Sequence, residues 1–182
     1  MGGEPEIRLD VTPPVEKLKS FSTTVEIGGQ TYTFLGRFSD VEKRVRLELR
    51  CQLTDDEKKA MTAHKVNREY VRDGVVGVIS ARADTYGADI GLTGIISLSD
   101  KVPKESPRYR APLGSFLLRN FLTLTDIKGW SVSATLSPEG RLKMRDMEGW
   151  FKNQGFEGPD AHLKHIRKKG VPDKSQLIAQ FT

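Results

Sequence analysis

Residues 45–51 read Val-Arg-Leu-Glu-Leu-Arg-Cys, an unbroken alternation of apolar and charged side chains. This period of two is the strongest constraint in the chain. A strand built from it buries one face and wets the other, as antiparallel sheets do and doubly covered parallel sheets do not. Upstream, residues 22–27 and 30–35 are rich in β-branched and aromatic residues and flank Gly28-Gly29. Two glycines supply the positive φ values of a tight turn, so the three segments predict a meander. Residues 1–20, with Gly2, Gly3, Pro5, Pro13 and Pro14, predict a loosely attached arm ahead of a single domain over 21–182.

Helical signals follow. Thr54-Asp55-Asp56-Glu57 has the capping-box spacing, and a helix from there runs to about Arg72, with Gly74 as its stop. Its apolar face (Ala60, Met61, His64, Val71) is thin, which predicts a surface helix. Residues 75–83 and 90–98 read as two buried strands turned at Asp84-Thr85-Tyr86-Gly87. A proline-rich, charged loop over 99–112 leads into a helix whose Leu113, Leu117, Phe121 and Leu124 recur at helical spacing, with Gly129 closing it. A strand over 130–136 and a helix over 139–153, carrying Met144, Met147, Trp150 and Phe151, come next. The predicted class is α/β in the α+β sense: one domain, a mixed and mostly antiparallel sheet, helices on both faces.

Composition narrows the function classes. The longest apolar stretches are a few residues, far short of the roughly 20 that cross a bilayer. The first residues lack a basic start and a signal-length apolar run, which predicts a cytoplasmic protein, and Glu6 stands where a myristoylation signal needs Ser or Thr. Cys51 is the only cysteine and His64, His162 and His165 are scattered, so neither an internal disulfide nor a zinc site is expected. Cys51 lies in phase with Val45, Leu47 and Leu49 and reads as a buried core residue rather than a nucleophile.

The chemistry concentrates in residues 108–156. Leu113-Gly114-Ser115 opens a helix, where unsatisfied amides and the macrodipole favour an anion, and Arg108 and Arg110 lie just upstream. This segment, from Tyr-Arg-Ala-Pro-Leu-Gly-Ser to Trp150-Phe151-Lys152-Asn153-Gln154-Gly155-Phe156, resembles the second half of the GNAT superfamily of N-acetyltransferases. The family has a strand, an Arg/Gln-x-x-Gly-x-Gly/Ala loop, a helix, a strand and a helix ending in a phrase like Tyr-Glu-Lys-Leu-Gly-Phe.

The resemblance implies an acyl-CoA-dependent N-acetyltransferase that moves an acetyl group directly from acetyl-CoA to a primary amine. The acceptor is a small amine or a protein. It implies that the strands over 90–98 and 130–136 splay around the thioester. Pantetheine amides would then pair near Ile96 and Leu98, the pyrophosphate would meet Arg108, Arg110, Leu113, Gly114 and Ser115, and Phe151 would line the arm. Phe151 occupies the position of the family's frequent tyrosine acid, so proton handling falls to other groups. Candidates are Tyr86 and Ser137 as donors and Asp84, Asp89 or Asp100 as base, all near strand ends. Two alternatives stand beside this reading. One is a non-catalytic protein-interaction module on a GNAT-like fold. The other is a basic nucleic-acid-binding protein using the 162–169 cluster with Lys101, Lys104, Arg108 and Arg110, and Tyr109 for stacking.

Overall fold

The computed structural model describes residues 19–84, 87–135, 144–158 and 162–165. They form a sheet of seven strands lying in sequence order: β1 (Lys19–Ile27), β2 (Gln30–Ser39), β3 (Arg44–Arg50), β4 (Val75–Ala83), β5 (Ile90–Ser97), β6 (Val132–Thr135) and β7 (His162–His165). Every neighbouring pair is antiparallel except β5 with β6. The helices are α1 (Asp55–Ala63), α2 (Arg68–Asp73), α3 (Leu113–Lys128) and α4 (Met144–Asn153). The fold is a single-core α+β domain on a mixed, mostly antiparallel open sheet.

The alternation over 45–51 does what its period requires. Val45, Leu47 and Leu49 are buried, and they share a face with Tyr32, Phe34 and Phe38 of β2 and Ile79 of β4. That face carries α3. Leu117 of α3 packs over Gly77, and the Phe116 ring meets Phe34 edge-on at 5.2 Å. Each large side chain buried this way contributes roughly 1.5–3 kcal/mol relative to exposure. On the opposite face Glu48 lies between Arg46 at 2.6 Å and Arg50 at 2.8 Å. There Tyr70 of α2 reaches Arg46.

The helix expected over 54–72 is two helices. The capping box forms as predicted, with the Glu57 amide donating to Thr54 Oγ1 and the Thr54 amide to Glu57 Oε1. The first helix stops at Ala63, Lys65 takes a left-handed φ of 59°, and Asn67 caps a second helix by accepting from the Glu69 amide at 2.8 Å. Asparagine at that position is a start signal that outweighs the weak apolar period across residues 64–67. Part of the basic tail cluster belongs to the sheet: residues 162–165 are strand β7, paired with β6. Residues 166–169, residues 1–18 of the expected arm and the first part of the helix expected over 139–153 lie outside the described residues, whereas Lys19 and Ser20 of that arm open β1. Among the described residues, no helix is long and apolar enough to cross a membrane.

Candidate functional site

The one parallel pair in the sheet is brief. β5 and β6 are joined by α3, begin side by side with the Ile90 amide donating to the Ser131 carbonyl, and stay in register only at Ile90 with Val132 and Gly91 with Ser133. Asp89 pins this start: its carboxylate accepts from the Ser131 amide at 2.9 Å and hydroxyl at 3.2 Å, and its own amide donates to Ser131 Oγ. Beyond Gly91, β5 follows β4 while β6 follows β7, and the two strands part.

The parting exposes one edge of β5. The Leu98 amide donates to the Val76 carbonyl, and pairing parity then turns the backbone groups of Ile96 and Gly94 toward β4 and those of Ile95 and Ser97 the other way, toward the opening. A register shift opposite Ser80 and Ala81 inserts Thr93, whose hydroxyl lies 2.8 Å from that of Ser80.

At the far end of β5 the chain turns back into α3. Position 114 sits against the strand, with a Cβ built there 3.9 Å from Ser97 Cβ and 4.0 Å from Ile95 Cγ2. Pro112 occupies the N-cap and supplies no side-chain cap. The Leu113 amide bonds Ala111 and the Phe116 amide bonds Pro112, so among the described residues the amides of Gly114 and Ser115 have no partner. Two unsatisfied donors at the positive end of a sixteen-residue helix, above the carboxyl end of a strand that has lost its neighbour, suit an anion. Arg110 stands exposed beside them at φ 57°, its amide donating to the Ser99 carbonyl and its guanidinium over the Tyr109 ring.

α4 closes on the same place. Trp150 Nε1 donates to Ser115 Oγ at 3.3 Å, linking α4 to the first turn of α3. Phe151, 4% exposed, turns inward against Phe156.

The expected residues therefore divide. Arg110, Leu113, Gly114 and Ser115 meet at the α3 start, although the Leu113 side chain is core and only the neighbouring amides are on offer. Arg108 does not join them, being bound to Glu57 on α1. Ile96 and Leu98 are replaced as edge groups by Ile95 and Ser97, because the backbone of the former pair is spent on β4. Phe151 is core packing. Asp100 lies past the carboxyl end of β5, beside Lys101 and away from the closed end of the opening. Asp89 is committed to Ser131 and Lys43, and these bonds hold its carboxyl below the usual range, the Ser131 amide first among them. Tyr86 and Ser137 lie outside the described residues. Sequence reasoning missed Ser97 and Ser133, whose positions depend on pairing.

Cys51 is partly rather than fully buried, packed against the core, and burial pushes its thiol up to about 11. No group of three or more metal-ligating side chains occurs among the described residues. No protein-family model, curated protein or solved structure matches the chain.

Proposed function

We propose that this protein is an acyl-CoA-dependent N-acetyltransferase, with the pyrophosphate of acetyl-CoA on the α3 start and the thioester between β5 and β6. The observation that carries the reading is the coincidence, on one strand, of a free edge and a helix start with two unpartnered amides. A helix start alone is common. A helix start at the carboxyl end of a strand whose parallel neighbour diverges is the arrangement in which ligands settle in α/β sheets.

The residues fit the group. The Gly114 and Ser115 amides and Arg110 would take the phosphates, and the edge amides and carbonyls of Ile95 and Ser97 would take the pantetheine amides in the manner of an added strand. From Ser97 to Gly91 is six residues, roughly 20 Å of strand. That suits an extended arm reaching the closed end. Bound acetyl-CoA supplies the activated acyl group. The chain aligns the amine and provides donors for the developing oxyanion. The Trp150 to Ser115 bond crosses the phosphate end and has to open for entry.

The test is a thermal melt with and without acetyl-CoA. A ligand that binds only the folded chain at 100 times its Kd adds about 2.7 kcal/mol, which raises the melting temperature of a chain this size by roughly 5–10 °C. Thiol release with an amine present then establishes turnover. No shift at saturating ligand sinks the reading and leaves the interaction module.

A further inference from the structure

The face of the sheet opposite α3 carries arginines at adjoining positions of three strands. Arg37 on β2 and Arg46 on β3 are direct cross-strand partners, and the row continues through Ser80 on β4 to Gly94 on β5. One step along the same face, Arg44 and Arg82 lie just beyond the Val45 to Ala81 pair. All four arginines are exposed. Like charges set directly opposite each other destabilise a sheet, and the nearby carboxylates answer only part of this charge. Glu48 is shared between Arg46 and Arg50, and Glu42 takes Arg44 at 2.9 Å. At the adjoining turn Asp89 is bound by Ser131 and Lys43, and Asp84 accepts from the Ala88 amide. Arg37 and Arg82 have no ion-pair partner among the described residues.

From this we infer that the face grips the phosphate backbone of a nucleic-acid duplex, on a surface that shares no residue with the α3 start or the loop over 99–112. A polyanion neutralises the opposed arginines that the fold leaves unanswered. Arg44 and Arg46, two residues apart on one strand, stand about 7 Å apart, close to the step between successive phosphates of a nucleic-acid strand. β2 and β4 set Arg37 and Arg82 about 5 Å to either side of them. Each guanidinium stays charged and can bond two phosphate oxygens at once. Between the arginines the face is small and polar, with Ser80 Oγ 2.8 Å from Thr93 Oγ1 and glycine at 91 and 94, so a broad partner can approach closely. β2 to β5 put no aromatic ring on this face, since Tyr32, Phe34 and Phe38 lie on the other, and Tyr70 of α2 beside it bonds Arg46. Unpaired bases therefore find no row of rings to stack on. A duplex, with its bases turned inward and its phosphates outward, fits such a surface.

The experiment follows the fluorescence anisotropy of a labelled DNA duplex of mixed sequence, about 20 base pairs long, titrated with the full chain at salt from about 50 to about 200 mM. With about four phosphates contacted, the logarithm of affinity should fall against that of salt with a slope of about −3 to −4. Arg37→Glu sets a carboxylate directly opposite Arg46, so its melting temperature should hold or rise while its affinity for the duplex falls about 10-fold or more. A merely structural role for Arg37 predicts the reverse. Arg82→Gln should make the salt slope shallower by about 1, a check that stands even if Arg37→Glu fails to fold. Lys101→Gln and Lys104→Gln should bind as the wild type does. No duplex binding at the lowest salt, tighter binding of the unpaired strand or of anionic lipid vesicles, or a loss that follows the two lysines rather than Arg37 and Arg82 overturns the proposal.

Discussion

Arg108 and Glu57 face each other in a two-pronged ion pair, Nη2 on Oε1 at 2.6 Å and Nε on Oε2 at 3.0 Å, with the carboxylate only 3% exposed. Ser106 donates to the same carboxylate and Arg108 also donates to the Gln52 carbonyl. Together with the capping box, these bonds fasten the loop over 99–112 to the start of α1. The loop must be fastened because its last residues aim α3 at β5. Arg108 therefore holds in place the approach to the α3 start.

This pair sets an acid limit on stability. Burial alone would raise the Glu57 carboxyl, but bonds from Arg108, Thr54 and Ser106 outweigh it and hold the group down to about 2. A carboxyl lowered on folding contributes fully above its unfolded value near 4.5, and the contribution fades as pH falls from there toward 2. Glu57→Gln should flatten the acid limb of urea-measured stability between pH 5 and pH 2, removing on the order of 2–3 kcal/mol of pH dependence. Arg108→Ala, which strands a buried carboxylate, should cost about 3–5 kcal/mol at pH 7. A Glu57→Gln curve with the wild-type slope would refute the account.

Position 114 separates anion binding from folding. Ordinary contact distances to Ser97 and Ile95 mean that Gly114→Ala fits without displacement. Gly114→Glu sets a carboxylate where two amides await an anion. The alanine variant should keep the acetyl-CoA melting shift and the glutamate variant should lose it, with both apo proteins melting within about 2 °C of wild type. Calorimetric melts with and without ligand check this. A shift retained in Gly114→Glu places the anion elsewhere.

Tyr32 carries a hydroxyl that burial leaves without a hydrogen-bond partner among the described residues, in a ring 1% exposed. Burial, with Cys51 and Glu57 nearby, pushes its pKa up to about 12, so the group stays protonated throughout the stable range. Removing an unsatisfied buried hydroxyl relieves a desolvation cost of about 1–3 kcal/mol while keeping the ring. Tyr32→Phe should accordingly be neutral or stabilising by about 1 kcal/mol in urea titration, where most core substitutions destabilise. A loss above 1 kcal/mol would mean the hydroxyl is bonded.

Features written locally were legible in the sequence, and those written by pairing were not. Gly28-Gly29, the Thr54 to Glu57 box and the Leu113 to Gly129 helix are set by residues within a turn or two of each other, and each forms where its pattern places it. The break at Asn67 was missed, because the reading ran one helix through to the Gly74 stop. Arg108 was assigned to phosphate because its partner, Glu57 on α1, lies 51 positions away in the chain. The choice of Ile95 and Ser97 over Ile96 and Leu98 depends on hydrogen-bond parity along β4 and β5, which side-chain identity does not report. Ser133 carries no local signal at all; only the parallel pairing with Gly91 brings it to the opening.

Trp150 offers a direct view of the opening. The chain has two tryptophans; Trp130 is 8% exposed and in the core, whereas Trp150 is partly buried and donates to Ser115 at the start of α3. On the acetyl-CoA reading, ligand seated on the α3 start competes for that hydroxyl, and the indole changes partner on binding. Trp130→Phe leaves Trp150 as the single reporter, and its emission should shift saturably with acetyl-CoA at the concentrations that raise the melting temperature. Trp150→Phe keeps the ring packing against Phe151 but loses the bond. A single neutral hydrogen bond is worth about 0.5–1.5 kcal/mol, so this variant should bind acetyl-CoA about 2- to 10-fold more tightly if the bond must break on entry. Weaker binding would show instead that Trp150 contacts the ligand, and unchanged emission in the single-tryptophan chain would show that α4 takes no part.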